Sequence, residues 1–336
     1  MDKVIDIFIR TLQERFAKEE TICDIAQYIK YFAWDCMNQV TFGETLGILE
    51  AGNDDRKFLE TSDRTLDYFA AISQIPELDL FLDKNPICRI GPPTVAWATI
   101  YSLDVYRRRI EQRSKNTRAD YLDRFIEARS THADIANDDM VINWLLSNVL
   151  AGSDTTASAM IAAIYCVLKH PRIHYQLLQE LKGLDPSSPR CWKECRDMPY
   201  LDAVMQETHR LYPGIGLMLE RIVPEKGLKL SDGRAIPAGT IVGMNPWVIN
   251  RNEDVFGPNT DDFAPERWLP QVDENGEEFQ SRRNRMKAAL FTFGAGSRSC
   301  IGRYLSQVES YKMIATIFTN FEVSRRIEII AFAKAG

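Results

Sequence analysis

Phe293-Gly294-Ala295-Gly296-Ser297-Arg298-Ser299-Cys300-Ile301-Gly302 is the most informative stretch of the 336-residue chain. Its glycines permit a tight loop and a close approach of the backbone to something flat. Cys300 falls where that loop runs into an apolar-periodic segment, Leu305, Val308, Tyr311, Ile314, Ala315 and Phe318, which predicts a last helix. Free amide N–H groups and the positive helix end favour a thiolate there, and a thiolate so placed is a metal ligand or a nucleophile. No histidine or second cysteine lies nearby to complete a zinc site, and the whole chain has four histidines. A cofactor that brings its own iron fits better than bare zinc. The plainer alternative is a glycine-rich turn holding a buried structural cysteine.

Upstream of the loop, residues 251–290 are mostly proline, glycine and charge, and read as a long meander containing Pro265-Glu266-Arg267-Trp268. Short strands joined by tight turns are expected at 228–230, 235–236 and 240–244, with Asp232-Gly233 and Pro237-Ala238-Gly239 as the turns. Before them a helix from Pro199 to Leu211 carries Glu207 and Arg210 three residues apart, which alone is an ordinary surface pair. Leu217, Met218 and Arg221 follow the helix breaker Pro213, where simple strand packing would account for them.

Further out, apolar residues run from an N-cap at Asn137, Asp138 or Asp139 to Leu168, predicting a helix of roughly 30 residues and about 45 Å. It is apolar nearly all round, as a helix through the middle of a large domain would be. Ala151-Gly152-Ser153-Asp154-Thr155-Thr156 sits mid-way along it, where Gly152 and Asp154 both cost stability, and such a cost suggests a use. A kink with Asp154 turned to a neighbouring arginine is the alternative. Helical periodicity also marks 4–16, 22–36, 58–70, 95–110 and 121–129, with a proline-rich loop containing Pro76, Pro86, Pro92 and Pro93. Helices, then a little sheet, then a loop feeding one helix, without βαβ alternation, make one mainly α domain.

Composition narrows the function classes. Residues are 45% hydrophobic and 26% charged, so disorder is not the main state. A net charge of −6 supplies no whole-chain positive field for a phosphate backbone, which argues against a nucleic-acid partner. Seven cysteines without close Cys-x-x-Cys pairs read as thiols in a reducing compartment rather than a disulfide framework. No apolar run is long enough to span a bilayer uninterrupted, and the acidic opening Met1-Asp2-Lys3-Val4-Ile5-Asp6 is unlike a signal peptide.

With these residues in view, the cysteine loop resembles the haem-binding signature of the cytochrome P450 haem-thiolate monooxygenases, matching at Phe293, Gly296, Arg298, Cys300 and Gly302. The resemblance implies a cytochrome P450 fold: mainly α, with a small β region, a long central helix and the cysteine loop before the last helix. It implies haem b (iron protoporphyrin IX) with Cys300 as the metal ligand, Phe293 shielding the sulfur, and Arg298 and Arg221 facing the propionates. It further implies that Glu207, Arg210 and Arg267 form a structural charge triad, Trp268 standing where phenylalanine is usual. Gly152 would make room for oxygen, Thr155 would hydrogen-bond it, Asp154 would pass protons inward, and Leu217 and Met218 would face substrate.

The texture is closest to fungal pisatin-demethylase-like members, carried by residues 81–87, 144–156 and 243–248. The implied reaction is hydroxylation or O-demethylation of an apolar small molecule, an aromatic one by analogy, with O2 and NADPH electrons delivered by NADPH-cytochrome P450 reductase. Arg282, Arg283, Arg285, Lys287 and Arg303 could receive that reductase, or form a solvated charge run. By the resemblance, family members start with a membrane anchor, a proline-rich hinge, a β-rich N-terminal region and a haem-holding Trp-x-x-x-Arg helix, all of which would precede the part matched here. The expected arrangement is therefore a partial catalytic domain over 1–323 and a divergent tail over 324–336, the complete protein lying on the cytosolic face of the endoplasmic reticulum membrane. The rival reading is a truncated, non-catalytic fragment or weak haem-binding pseudoenzyme.

Overall fold

The computed structural model describes residues 1–91, 96–112, 120–184 and 191–324. The expectations placed on Pro92, Pro93, Val95 and most of the 324–336 tail lie outside the described residues. The backbone divides into two compact units, Met1–Ala157 and Ser158–Gly336.

In the first unit the helices α1 (Asp2–Leu12), α2 (Ile25–Phe42), α3 (Phe58–Ile72), α4 (Ala96–Gln112) and α5 (Tyr121–Thr131) follow the expected segments closely. The first apolar run was expected to continue to Phe16, but the α-helix ends at Leu12 and a single π-turn, Gln13–Ala17, follows. Asp24 caps α2 by accepting from the Gln27 N–H, and Gly43 ends it in the left-handed region at φ 77°. Val4, Ile5, Phe8, Ile29, Phe32 and Trp34 are fully buried and form the packed centre of this end.

The long helix α6 runs Asp138–Lys169, about 48 Å. Asn137 caps it, its side-chain oxygen accepting from Met140 N at 2.9 Å. It is long and apolar enough to cross a membrane by length and composition, yet most of its apolar stretch is packed inside the protein. Val141, Leu145, Val149, Met160, Ala163 and Val167 are buried, whereas Asn143, Ser147, Ala151, Thr155 and Ser158 form an exposed small-residue stripe on the other side. Ser153 and Thr155 satisfy their hydroxyls inside the helix by donating to Val149 O and Ala151 O, each at 2.7 Å.

The second unit is built round α8 (Pro199–Leu211), which follows α7 (Pro171–Leu181). Both helices begin with proline, whose missing N–H costs nothing in a first turn. Nearly every side chain of α8 is buried. Against it lie Phe256, Trp268 and Met286, and the last helix α10 (Arg303–Asn320) contributes Met313, Ile314 and Ala315, fully buried. Strand β1 (Leu219–Ile222) pairs antiparallel with β4 (Ile241–Met244), Leu219 opposite Met244, and β2 (Leu228–Lys229) with β3 (Ala235–Ile236).

One expectation needs correction. The meander over 251–290 contains a full helix, α9 (Gly276–Ala289). Met286 is its single buried residue, so there is no apolar periodicity to read; the helix stands instead on a capping box between Asn275 and Glu278. Ion pairs hold it as well: Arg282 reaches Glu274 at 2.7 Å and Arg283 reaches Asp202 at 2.5 Å.

Candidate active site

The cysteine loop is assembled by its own backbone. Cys300 N donates to Phe293 O at 2.8 Å, closing the loop on itself, and Gly294 and Gly296 turn it with φ of 65° and 67°, where other residues would be strained. A short 3-10 turn, Gly296–Arg298, and Gly302 then lead into α10. The Cys300 thiol is exposed, and a methyl group added at Gly302 would stand 3.8 Å from its sulfur. Glycine at 302 thus keeps that side of the sulfur open.

The loop is tied down from beneath. Asn250 accepts from Phe291 N at 2.9 Å and donates to the Thr292 hydroxyl at 3.1 Å, while Thr292 donates to the His209 carbonyl on α8. The Phe293 ring meets His209 edge-on, centroids 5.1 Å apart, and the Arg303 guanidinium lies over it at 5.4 Å. Burial, and secondarily the Arg303 charge, push the His209 pKa down to about 4, so its imidazole is neutral.

Glu207, Arg210 and Arg267 meet in the interior. Arg210 grips Glu207 through two bonds of 2.8 Å, both side chains having no exposure at all, and Arg267 approaches the same carboxylate at 3.4 Å. Two further donors complete the site: Ala264 N at 3.0 Å and the Trp268 indole N–H at 2.9 Å. The remaining guanidinium N–H groups go to meander carbonyls, Arg210 to Asn250, Thr260 and Asp262, and Arg267 to Phe256, Pro258 and Asn259. A buried carboxylate with five donors is fully satisfied, and the charge cluster fastens the meander to α8.

On α6, Asp154 is 9% exposed, and no arginine among the described residues pairs with it. Its Oδ1 accepts from the Trp34 indole N–H of α2 at 2.9 Å, and its Oδ2 from the Ser62 hydroxyl of α3 at 2.5 Å. Burial pushes its pKa up, against the opposing pull of those two hydrogen bonds. Gly152 lies against α2: a methyl group there would fall 2.6 Å from the Met37 terminal carbon. Thr155 is on the exposed stripe.

Leu217 and Met218 are exposed just before β1, and Arg221 on that strand is exposed, bonded through one N–H to the Glu220 carbonyl. Arg298 is exposed and forms no ion pair among the described residues. Ile222 and Ile301 in the same unit are exposed at 72% and 97%. One open thiol, two uncompensated guanidinium groups and apolar side chains facing outward are the donor set that an apolar disc with one metal and two carboxylates requires, so the residues fit haem. No group of three or more His, Cys, Asp or Glu that could hold a bare metal ion occurs among the described residues.

A model of the family described as Cytochrome P450 matches residues 1–328. The chain belongs to the cytochrome P450 family. It is 37% identical over 331 residues to cytochrome P450 monooxygenase cfoH of Aspergillus candidus, covering 96% of this chain and 61% of the relative. It is 37% identical over 330 residues to cytochrome P450 monooxygenase cicH of Emericella nidulans (95% and 64%), and 34% identical over 339 residues to a cytochrome P450 monooxygenase of Aspergillus terreus (97% and 67%). The chain thus spans 61–67% of the length of these relatives.

Several residues that hold the candidate residues of this P450 chain in place, in each unit by itself, are not evident from its sequence. Trp34 and Ser62 lie 120 and 92 positions from Asp154, and Asn250 lies 41 from Phe291. Trp268 left one trace, an indole where phenylalanine is usual, and the N–H is the atom that the exchange adds. Of the basic run, Arg282 and Arg283 are occupied by Glu274 and Asp202 and are not free surface charges.

Proposed function

We propose that this chain is the haem-binding portion of a haem-thiolate monooxygenase that hydroxylates or O-demethylates an apolar small molecule. The observation that carries the proposal is Cys300: an exposed thiol in a loop closed by its own N–H to Phe293 O, with Gly302 leaving one side of the sulfur open. Bound haem supplies an iron centre that activates O2 with two electrons originating in NADPH and relayed by a reductase.

The chain's own residues do the rest. Cys300 would hold the haem iron through its sulfur, Phe293 would exclude water from that sulfur, and Arg298 and Arg221 would be the cationic partners of the two propionates. Glu207, Arg210 and Arg267 fix the meander behind the loop, so that the sulfur is held in one position. Thr155 offers a hydroxyl and Asp154 a carboxyl that takes up and releases a proton, while the Cβ-less side of Gly152 is taken by the Met37 side chain of α2. Leu217 and Met218 give an apolar contact for substrate. The fungal monooxygenase relatives are in keeping with a role in secondary metabolism, and the family resemblance alone carries the proposal that the complete protein lies on the cytosolic face of the endoplasmic reticulum membrane.

The test is turnover with purified NADPH-cytochrome P450 reductase, NADPH and 18O2 on a panel of apolar phenols and aryl methyl ethers. One labelled oxygen per hydroxylated product, or formaldehyde released from a methyl ether, is expected, and Cys300→Ser abolishes both. Product formed equally by Cys300→Ser, or haem-loaded protein that oxidises none of the panel, would count against the proposal.

A further inference from the structure

Asp154 is held in a manner that its structural duties do not require. Two neutral donors reach it, one on each oxygen. An asparagine could accept the Trp34 N–H through its oxygen and donate to Ser62 through its nitrogen, at a smaller desolvation cost. What asparagine cannot do is exchange a proton. The two partners differ in the same respect. The Trp34 indole N–H donates along a fixed direction and does not release its proton, whereas the Ser62 hydroxyl donates and accepts at once.

Both partners belong to helices that lead out to solvent. Lys30 lies one turn before Trp34 on α2, and Asp63 follows Ser62 on α3; the two pair at 2.8 Å with their side chains 29% and 47% exposed. Both charges are felt at Asp154, Asp63 raising its pKa and Lys30 lowering it. The half-exposed Lys30–Asp63 pair thus flanks the buried carboxyl by sequence, one turn before Trp34 on α2 and one residue after Ser62 on α3, all within one compact unit.

We infer that this seam is the proton inlet of the site, with Ser62 passing the proton to Asp154, Trp34 orienting the carboxyl, and the Lys30–Asp63 pair forming the outer end. The inference rests on the proton role given to Asp154 above. In the step, Ser62 Oγ gives its hydrogen to Asp154 Oδ2 and takes one from a protonated water on its outer side. The Oγ–H bond broken is replaced by another, Ser62 ends neutral, water is left behind, and no electron moves. Ser62 and Trp34 are positioning residues in this scheme, since neither touches substrate or cofactor.

The experiment uses the haem-loaded full chain. The infrared carbonyl band of Asp154, recorded at a pH low enough to protonate it and identified by its loss in Asp154→Asn, is followed after transfer to D2O. Ser62→Ala is expected to move the band to higher frequency and slow its deuterium exchange at least tenfold, while Ser62→Thr, which keeps the hydroxyl, exchanges at the parent rate. Trp34→Phe is expected to move the band without slowing exchange. In turnover, Ser62→Ala is expected to raise the share of NADPH electrons lost to hydrogen peroxide and to enlarge the solvent isotope effect.

Exchange in Ser62→Ala as fast as in the parent would overturn the inlet. If Asp154→Asn uncouples turnover but Ser62→Ala changes neither coupling nor exchange, the inlet is wrong and the proton role of Asp154 stands. If Asp154→Asn leaves coupling unchanged, that role fails and the inlet with it.

Discussion

At the scale of single residues, the bond from the Trp268 indole to Glu207 can be removed by a conservative exchange. Replacing the indole by phenylalanine keeps a large apolar ring in the cluster with Phe256 and Met286 but removes one donor from a carboxylate with no exposure. Trp268→Phe is expected to cost about 1.5–3 kcal/mol in urea unfolding, the range for a hydrogen bond to a buried charge. Glu207→Gln, which leaves two guanidinium groups short of their counter-charge, is expected to cost about 3–5 kcal/mol and to lower haem retention after desalting. An unfolding midpoint unmoved by Trp268→Phe would show that the indole N–H contributes nothing. His209 sets a pH dependence. Its folded-state pKa of about 4 lies below the ordinary 6.5, so the unfolded chain binds the proton more readily between those values. Stability is therefore lost as pH falls from about 6.5 to about 4, by about 3 kcal/mol from this residue. His209→Leu, measured by unfolding across that interval, is expected to flatten the loss; an unchanged slope would exclude His209 as its source.

Between elements, the contact of α6 with α2 at Gly152 tests how closely the helices must approach. Alanine would raise intrinsic helix propensity by about 1 kcal/mol, yet its methyl group would meet the Met37 side chain at 2.6 Å. Overpacking of this kind costs about 1–3 kcal/mol, so Gly152→Ala is expected to be neutral to destabilising, and adding Met37→Ala is expected to reveal a positive coupling in a double-mutant cycle. Strict additivity would mean that the two side chains do not compete for space. The same scale shows what the sequence made legible. Helices α1 to α8 and α10 declare themselves because each has an apolar face or a proline or cap at its start, and the strands because turns separate them. Helix α9 has one buried residue and is carried by a capping box and by ion pairs to Glu274 and Asp202, contacts that no periodicity encodes. Asn275→Ala is expected to weaken it by about 1 kcal/mol, read as faster amide exchange over 276–289; unaltered exchange would place its stability elsewhere.

For the molecule as a whole, the loop around Cys300 was legible because the chemistry is local: glycines, a thiol and a helix start within ten residues. The triad was half legible, since Glu207 and Arg210 share a helix face, while Arg267 reaches Glu207 from 60 positions away through folding alone. The surroundings of Asp154 were not legible, because its partners come from two other helices. Everything proposed for the chain depends on the Cys300 sulfur binding iron as a thiolate. The most direct measurement is the absorption spectrum of the purified, haem-reconstituted chain after reduction and exposure to carbon monoxide, beside Cys300→Ser. The strongly red-shifted Soret band of thiolate ligation is expected in the parent and absent from the variant; a parent spectrum with an unshifted band, or one the variant shares, would contradict it.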